Sequence, residues 1–151
     1  MIWRECAFAE LTVHELYELL RLRTQVFVVE QQCVFQDMDG MDQRARHLLG
    51  RQAGGELIAY ARLFGPGEYF EQASIGRVVT AHSSRRTGVG KQLMCEAISA
   101  VERLWGRVPI RIGAQAYLER FYASFGFERD GNDYMEDAIP HLHMLRAAKQ
   151  D

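Results

Sequence analysis

Ser74-Ile75-Gly76-Arg77-Val78-Val79-Thr80-Ala81 is followed, after a short turn, by Arg85-Arg86-Thr87-Gly88-Val89-Gly90-Lys91, and the passage from one stretch to the other decides the fold. The first is rich in β-branched residues and predicts a strand. The second opens a run in which Val89, Leu93, Met94, Ala97, Ile98, Val101, Leu104 and Trp105 recur at helical spacing, which predicts one apolar face of a long helix ending at Gly106. The first amides of a helix lack intrahelical partners and carry partial positive charge, so anions settle there. Gly88 and Gly90 put no Cβ between those amides and a phosphate, while Arg85, Arg86 and Lys91 add positive charge. A pyrophosphate is the ligand this arrangement suits best. The plainer alternative is a helix start flanked by solvated basic side chains.

Upstream, Thr12-x-x-Glu15 has the form of a capping box, and Leu16, Leu19, Leu20 and Phe27 continue at helical spacing. From Glu30 to Gln43 stand four acids (Glu30, Asp37, Asp39, Asp42) and no base, with Gly40 among them, which predicts a loop or short broken helix. This charge run reads either as a solvated face or as an attractor for a cationic molecule. A hairpin follows, from His47 to Gln52, through Gly54-Gly55, then from Glu56 to Phe64, with apolar residues on both faces. Downstream, Ile110, Ile112 and Ala114 alternate as a short buried strand after Pro109. Tyr117 to Phe125 predicts a second helix stopped by Gly126, and Phe127–Arg129 and His141–Leu145 predict the final strands. Strands outnumber helices in mixed order, which favours an α+β sheet with helices on its faces over a bundle.

The 151 residues, 48% hydrophobic and 25% charged, form a single domain by expectation, long enough to bury roughly 70% of the unfolded surface without disulfides or a structural metal. A formal charge of −2 argues against a general nucleic-acid binder. The longest apolar run, Leu57 to Ala61, has five residues against the ~20 of a spanning helix, and Glu5 and Glu10 stand where a secretory signal would be basic and apolar. The expectation is a cytoplasmic protein without membrane partners. Three cysteines (Cys6, Cys33, Cys95), without a CxxC, suit a reducing compartment and argue against zinc. His141-x-His143 lacks a third ligand, and the glycine of Asp37-x-Asp39-Gly40-x-Asp42 comes too early for a calcium loop, so no metal is expected.

Two glycine fingerprints fail letter by letter. A Walker loop ending on Gly90-Lys91 would need glycine at 85 and Ser or Thr at 92, where Arg85 and Gln92 stand; a dinucleotide fingerprint would need a small residue at Leu93. Arg85-x-x-Gly88-x-Gly90 after a β-branched strand instead resembles the acetyl-coenzyme A signature of the GNAT N-acetyltransferase superfamily. Tyr122-Ala123-Ser124-Phe125-Gly126-Phe127 resembles that family's Tyr-x-x-x-Gly-Phe. Leu22-Arg23-x-x-Val26-Phe27-Val28-Val29-Glu30-Gln31, Gly113-Ala114-Gln115-Ala116 and Glu136-Asp137-x-Ile139-Pro140-His141 resemble the ElaA-like branch, so the likeness spans roughly residues 7 to 146.

The resemblance implies the GNAT fold, a mixed sheet of about six to seven strands whose splayed pair, residues 74–81 and 110–115, forms an acetyl-CoA cleft. It implies acetyl transfer to a primary amine by direct attack in a ternary complex, on a small molecule or a peptide lysine. A catalytically silent acyl-CoA sensing module on the same fold is the alternative. Val78, Val79 and Thr80 would line the pantetheine arm, and Arg85, Arg86, Thr87, Gly88, Val89, Gly90 and Lys91 would hold the pyrophosphate. Tyr122 would protonate the departing thiolate, with packing beside Phe121 and Phe125 as its plainer reading. Strand amides near Val79 would stabilise the oxyanion. Glu30, Glu136, His141 and His82 are candidates for the base. A cysteine-linked acyl intermediate is disfavoured, because nothing near Cys33 or Cys95 in sequence would activate a thiol. The resemblance is compatible with a homodimer and leaves the acceptor and the donor chain length open.

Overall fold

The first helix forms where its capping box dictates. In the computed structural model, which describes residues 1–148, the Thr12 hydroxyl accepts from the Glu15 amide at 3.0 Å and the Glu15 carboxylate accepts from the Thr12 amide at 2.9 Å. Helix α1 (Val13–Arg23) then runs into seven residues, Thr24–Glu30, wound as a π-helix, with the Gln31 amide reaching the Val26 carbonyl and the Cys33 amide the Val28 carbonyl. The helix therefore extends to where sequence periodicity placed a loop, in a wider winding that local propensity does not encode.

Eight strands form one mixed sheet in the order β1-β2-β3-β4-β5-β8-β6, with β7 paired to β8. They are β1 (Ile2–Ala7), β2 (Arg46–Arg51), β3 (Leu57–Phe64), β4 (Ala73–Thr80), β5 (Ile110–Gln115), β6 (Phe127–Arg129), β7 (Tyr134–Glu136) and β8 (Ile139–Arg146). Two of them, β1 and β7, have no counterpart in the sequence pattern: β1 is an edge strand that exposes the apolar Ile2, and β7 has only three residues, so neither shows a clean alternation of polar and apolar residues. Strands β1 to β4 pair antiparallel with one another. β3 is buried along its whole length, because α1 covers one face and helix α2 (Val89–Trp105) the other.

Under α1, Leu19 and Leu22 pack with Leu49, Leu57, Tyr60 and Val79. On the opposite face, Leu93, Met94 and Ala97 of α2 are completely buried against Ile58, Ala61 and Ile75. Each fully buried leucine or methionine contributes about 1.5–3 kcal/mol, so this face anchors α2 and its N-terminus against the sheet. The segment foreseen as a helix from Tyr117 to Phe125 is shorter: a 3₁₀ turn at Ala116–Leu118 leads from β5 into helix α3 (Glu119–Ala123). The chain must turn sharply off the end of β5, and the tighter winding makes that turn.

Two departures from sheet regularity shape the site. β4 and β5 are parallel and pair only through Ala73–Ile110 and Ser74–Arg111, beyond which they diverge. In β4, Arg77 and Val78 together oppose the single residue Ala61 of β3, a bulge in which Arg77 takes φ +47°.

Candidate acyl-donor cleft and active site

Where β4 and β5 part, a cleft of ≈ 1100 Å³ opens between α1's π-helical extension, the N-terminus of α2 and α3. Backbone groups of β4 beyond Ser74 that face β5 meet no strand there, leaving donors and acceptors for a ligand. Val78, Val79 and Thr80 all line this wall.

At one end lies the start of α2. Gly88 is its N-cap, with φ +85°, no side-chain cap and open space where a Cβ would stand. A Cβ at Gly90 would meet the Phe121 ring at 3.7 Å, an ordinary contact, so of the two glycines only Gly88 is required by backbone conformation. Arg86 and Lys91 line the cleft and form no ion pair among the described residues. Thr87 turns its hydroxyl to the Ser84 carbonyl, and Val89 is buried in the core, so neither side chain faces the cleft and both offer only backbone. Arg85 is held by Glu30, its two terminal nitrogens 2.6 and 2.5 Å from the carboxylate oxygens.

That pair alters the standing of Glu30. Hydrogen bonds from Arg85, and then from His82 at 3.2 Å, keep its carboxyl below the usual range despite some desolvation, which suits an anchor more than a proton acceptor. His82 is exposed and outside the cleft. His141 lines the cleft with Nδ1 2.8 Å from the Ile139 carbonyl, which fixes the proton on Nδ1 and directs Nε2 to the Glu136 carboxylate 3.5 Å away. Glu136 also lines the cleft. His141 and His143 do share a strand face, but Tyr134 lies against both rings, with centroids at 5.8 and 4.8 Å.

Tyr122 projects from α3 into the wall and is 7% exposed, packed edge-on to Phe121 and Phe127. Its hydroxyl makes no hydrogen bond among the described residues. Burial, with a smaller contribution from Tyr117, pushes the phenol well above its ordinary value, so it stays protonated at neutral pH.

The acidic run is neither a solvated face nor an open attractor, as both sequence readings supposed. Asp37 is paired with Arg23 and Arg77, Asp39 with Arg62 and Arg77, Asp42 with Arg23 and Arg62, and Glu30 with Arg85. Arg23 is completely buried and Arg62 nearly so, which demands compensating carboxylates. Sequence reasoning missed Phe35 and Tyr69 in the cleft wall; Cys33, disfavoured by it as a nucleophile, lines the cleft too, with its thiol 3.3 Å from the Asp137 carbonyl. It also gave no role to Gln31 and Gln115, whose amides pair reciprocally between the π-helical extension and β5.

A parted strand pair, a glycine-opened helix N-terminus and a buried tyrosine between them make up the layout of an N-acetyltransferase fold. Residues 14–147 match the family model described as an acetyltransferase (GNAT) domain, and the chain belongs to that family. Within it, the chain is 43% identical over 150 residues to Protein ElaA of Escherichia coli strain K12, covering 98% of this chain and 97% of that one. The crystal structure of E. coli ElaA superposes with a TM-score of 0.89, covering 96% of this chain and 98% of that chain. An acyl-CoA N-acyltransferase from Pseudomonas aeruginosa gives 0.91 at 45% identity, covering 97% and 100%.

Proposed function

We propose that this chain transfers the acetyl group of acetyl-coenzyme A to a primary amine by direct attack. One observation carries the reading: the cleft runs unbroken from the open N-terminus of α2, with the cations Arg86 and Lys91, to a buried tyrosine, and among the described residues neither cation has an ion pair and the tyrosine hydroxyl has no hydrogen-bond partner. The diphosphate sits on the amides after Gly88, contacting Arg85 to Lys91 by backbone or by charge. The pantetheine arm lies along Val78 to Thr80 and fills the gap between β4 and β5.

The amine nitrogen attacks the thioester carbonyl carbon, forming C–N, while β4 amides near Val79 stabilise the oxyanion. The C–S bond then breaks, its electron pair leaves on sulfur, and Tyr122 supplies the proton that completes the thiol. The proton lost by nitrogen passes to His141 Nε2, with Nδ1 oriented by the Ile139 carbonyl and the imidazolium facing Glu136. Glu30 is assigned the task of orienting Arg85. With the acids from Glu30 to Asp42 occupied by arginines, Glu136 and Asp137, on the β7–β8 hairpin, are the cleft-lining carboxylates that remain for a cationic acceptor.

Acetyl transfer measured against a panel of small amines and lysine peptides tests the reading. Turnover lost in His141→Ala, with coenzyme A still bound, is the expected result. Tight binding with no turnover on any amine would assign the chain to acyl-CoA sensing instead, and absence of binding would remove the proposal.

A further inference from the structure

We infer that Arg77 is a positioning residue: its two-point hold on Asp37 keeps β4 bulged, and the bulge sets which groups of Val78, Val79 and Thr80 face the cleft. The inference rests on the cleft being an acyl-coenzyme A site, as proposed above.

Arg77 lies in left-handed backbone conformation in the middle of a strand, where a side chain with a Cβ is disfavoured, while its neighbour Gly76, which would adopt it freely, does not. A conformation of this kind persists only where surrounding contacts over-determine it. Those contacts are present. Arg77 Nε donates to Asp37 Oδ1 at 2.8 Å and Nη2 to the Asp37 carbonyl at 3.0 Å, with Asp39 Oδ2 3.6 Å away and the Phe35 ring beneath the guanidinium at 5.9 Å. Asp37 is in turn fixed by the completely buried Arg23, whose Nε donates to Oδ2 at 2.9 Å and Nη2 to the same carbonyl at 3.2 Å. Asp37 is thus gripped by two arginines, one rooted in α1 and one in the bulge.

What the grip controls follows from the period of a strand. Side chains and backbone groups alternate, so removing the extra residue from the pairing with β3 turns every following residue to the other face. Val79 packs under α1 with Leu19 and Leu22, whereas Val78 packs on the α2 side. A flattened β4 would exchange them and present the wrong amides to the pantetheine arm. The same loop supplies Phe35 and Asp39 to the cleft lining, so the ion pair ties that part of the lining to β4.

Calorimetry with two probes tests this: coenzyme A, and 3′-phospho-ADP, which retains the diphosphate but has no pantetheine. Arg77 is 23% exposed and Asp37 retains Arg23, so Arg77→Gln leaves no charge buried alone. Expected for Arg77→Gln is a coenzyme A Kd weaker by about tenfold, the loss of one or two hydrogen bonds to the arm, with 3′-phospho-ADP binding within about twofold of wild type. Arg77→Lys keeps the charge with one contact fewer and falls between. Equal weakening of both probes would reduce Arg77 to a general stabiliser, and unchanged binding of both would remove its role altogether; either overturns the inference. A wild-type chain that binds neither probe overturns the cofactor reading beneath it, an outcome visible before any variant is made.

Discussion

The hydroxyl of Tyr122 is one oxygen on an otherwise well-packed ring, which makes its contribution separable from the packing. The ring contacts with Phe121 and Phe127 survive in Tyr122→Phe, so stability and coenzyme A affinity stay near wild type. If the phenol protonates the departing sulfur, kcat falls by about 10²-fold or more. Steady-state kinetics alongside calorimetry separates the two, and retained kcat would return Tyr122 to packing. Asp39 shows how the carboxylates near the cleft are used. Burial alone would raise its carboxyl, but hydrogen bonds from Arg62 Nη1 and Nη2, each at 2.9 Å, outweigh it and hold the group at about 2 against an ordinary 3.8. A carboxyl depressed in the folded state stabilises fully above its unfolded value, and that stability is lost as pH falls through the folded value. The stability gap between wild type and Asp39→Asn should therefore stay constant from pH 7 to about 5 and narrow towards pH 2, its pH-dependent part being about 2 kcal/mol. Chemical denaturation across that range checks it; a gap that ignores pH would mean that Arg62 does not hold the charge.

Among the elements, α2 was legible from end to end: the apolar face from Val89 to Trp105 and the flanking glycines mark the helix that forms. Periodicity reads well here because the helix lies on the sheet with one face buried throughout. The helical spacing of the first helix reached Phe27, but the π winding of Thr24–Glu30 was not legible, because it answers to tertiary packing around Val26 and Phe27 and to the pairing of Glu30 with Arg85. β7 was hidden for a related reason, since three residues hold too little pattern. At the start of α2 the two glycines look alike in sequence and differ in space. Gly88→Ala forces a Cβ into left-handed backbone and should cost about 1–2 kcal/mol, whereas Gly90→Ala sits in the helix with its Cβ in ordinary contact with Phe121 and should be neutral or stabilising by up to about 1 kcal/mol. Thermal melts of the two variants test the assignment. Equal loss in both would mean that Gly90 is required as strictly as Gly88, against the ordinary contact its Cβ would make.

At the scale of the molecule, the part of the cleft at the start of α2 is local in sequence and the rest is not. One strand, one turn and one helix start make up that part within eighteen residues, Ser74 to Lys91. The rest of the cleft wall is assembled from the π-helical extension, the loop around Phe35, Tyr69 and the β7–β8 hairpin, and the arginines that occupy the acidic run come from α1 (Arg23), β3 (Arg62), β4 (Arg77) and the turn before α2 (Arg85). No spacing rule joins such residues, so a run of acids read as solvated or attracting was in fact neutralised from afar.

The sheet itself is left open: the parting of β4 and β5 gives up ladder hydrogen bonds and leaves those backbone groups to water or to a ligand. A ligand bound to the folded state alone stabilises it by RT ln(1 + [L]/Kd), about 2.7 kcal/mol at a hundredfold excess over Kd. For a domain of this size that raises Tm by roughly 5–10 °C with coenzyme A. Gly88→Glu places a carboxylate beside the amides that the diphosphate needs and should abolish the shift, whatever it does to Tm without ligand. A coenzyme A shift of equal size in Gly88→Glu would place the ligand away from the start of α2, and the cleft's order of diphosphate, arm and thioester would have to be abandoned.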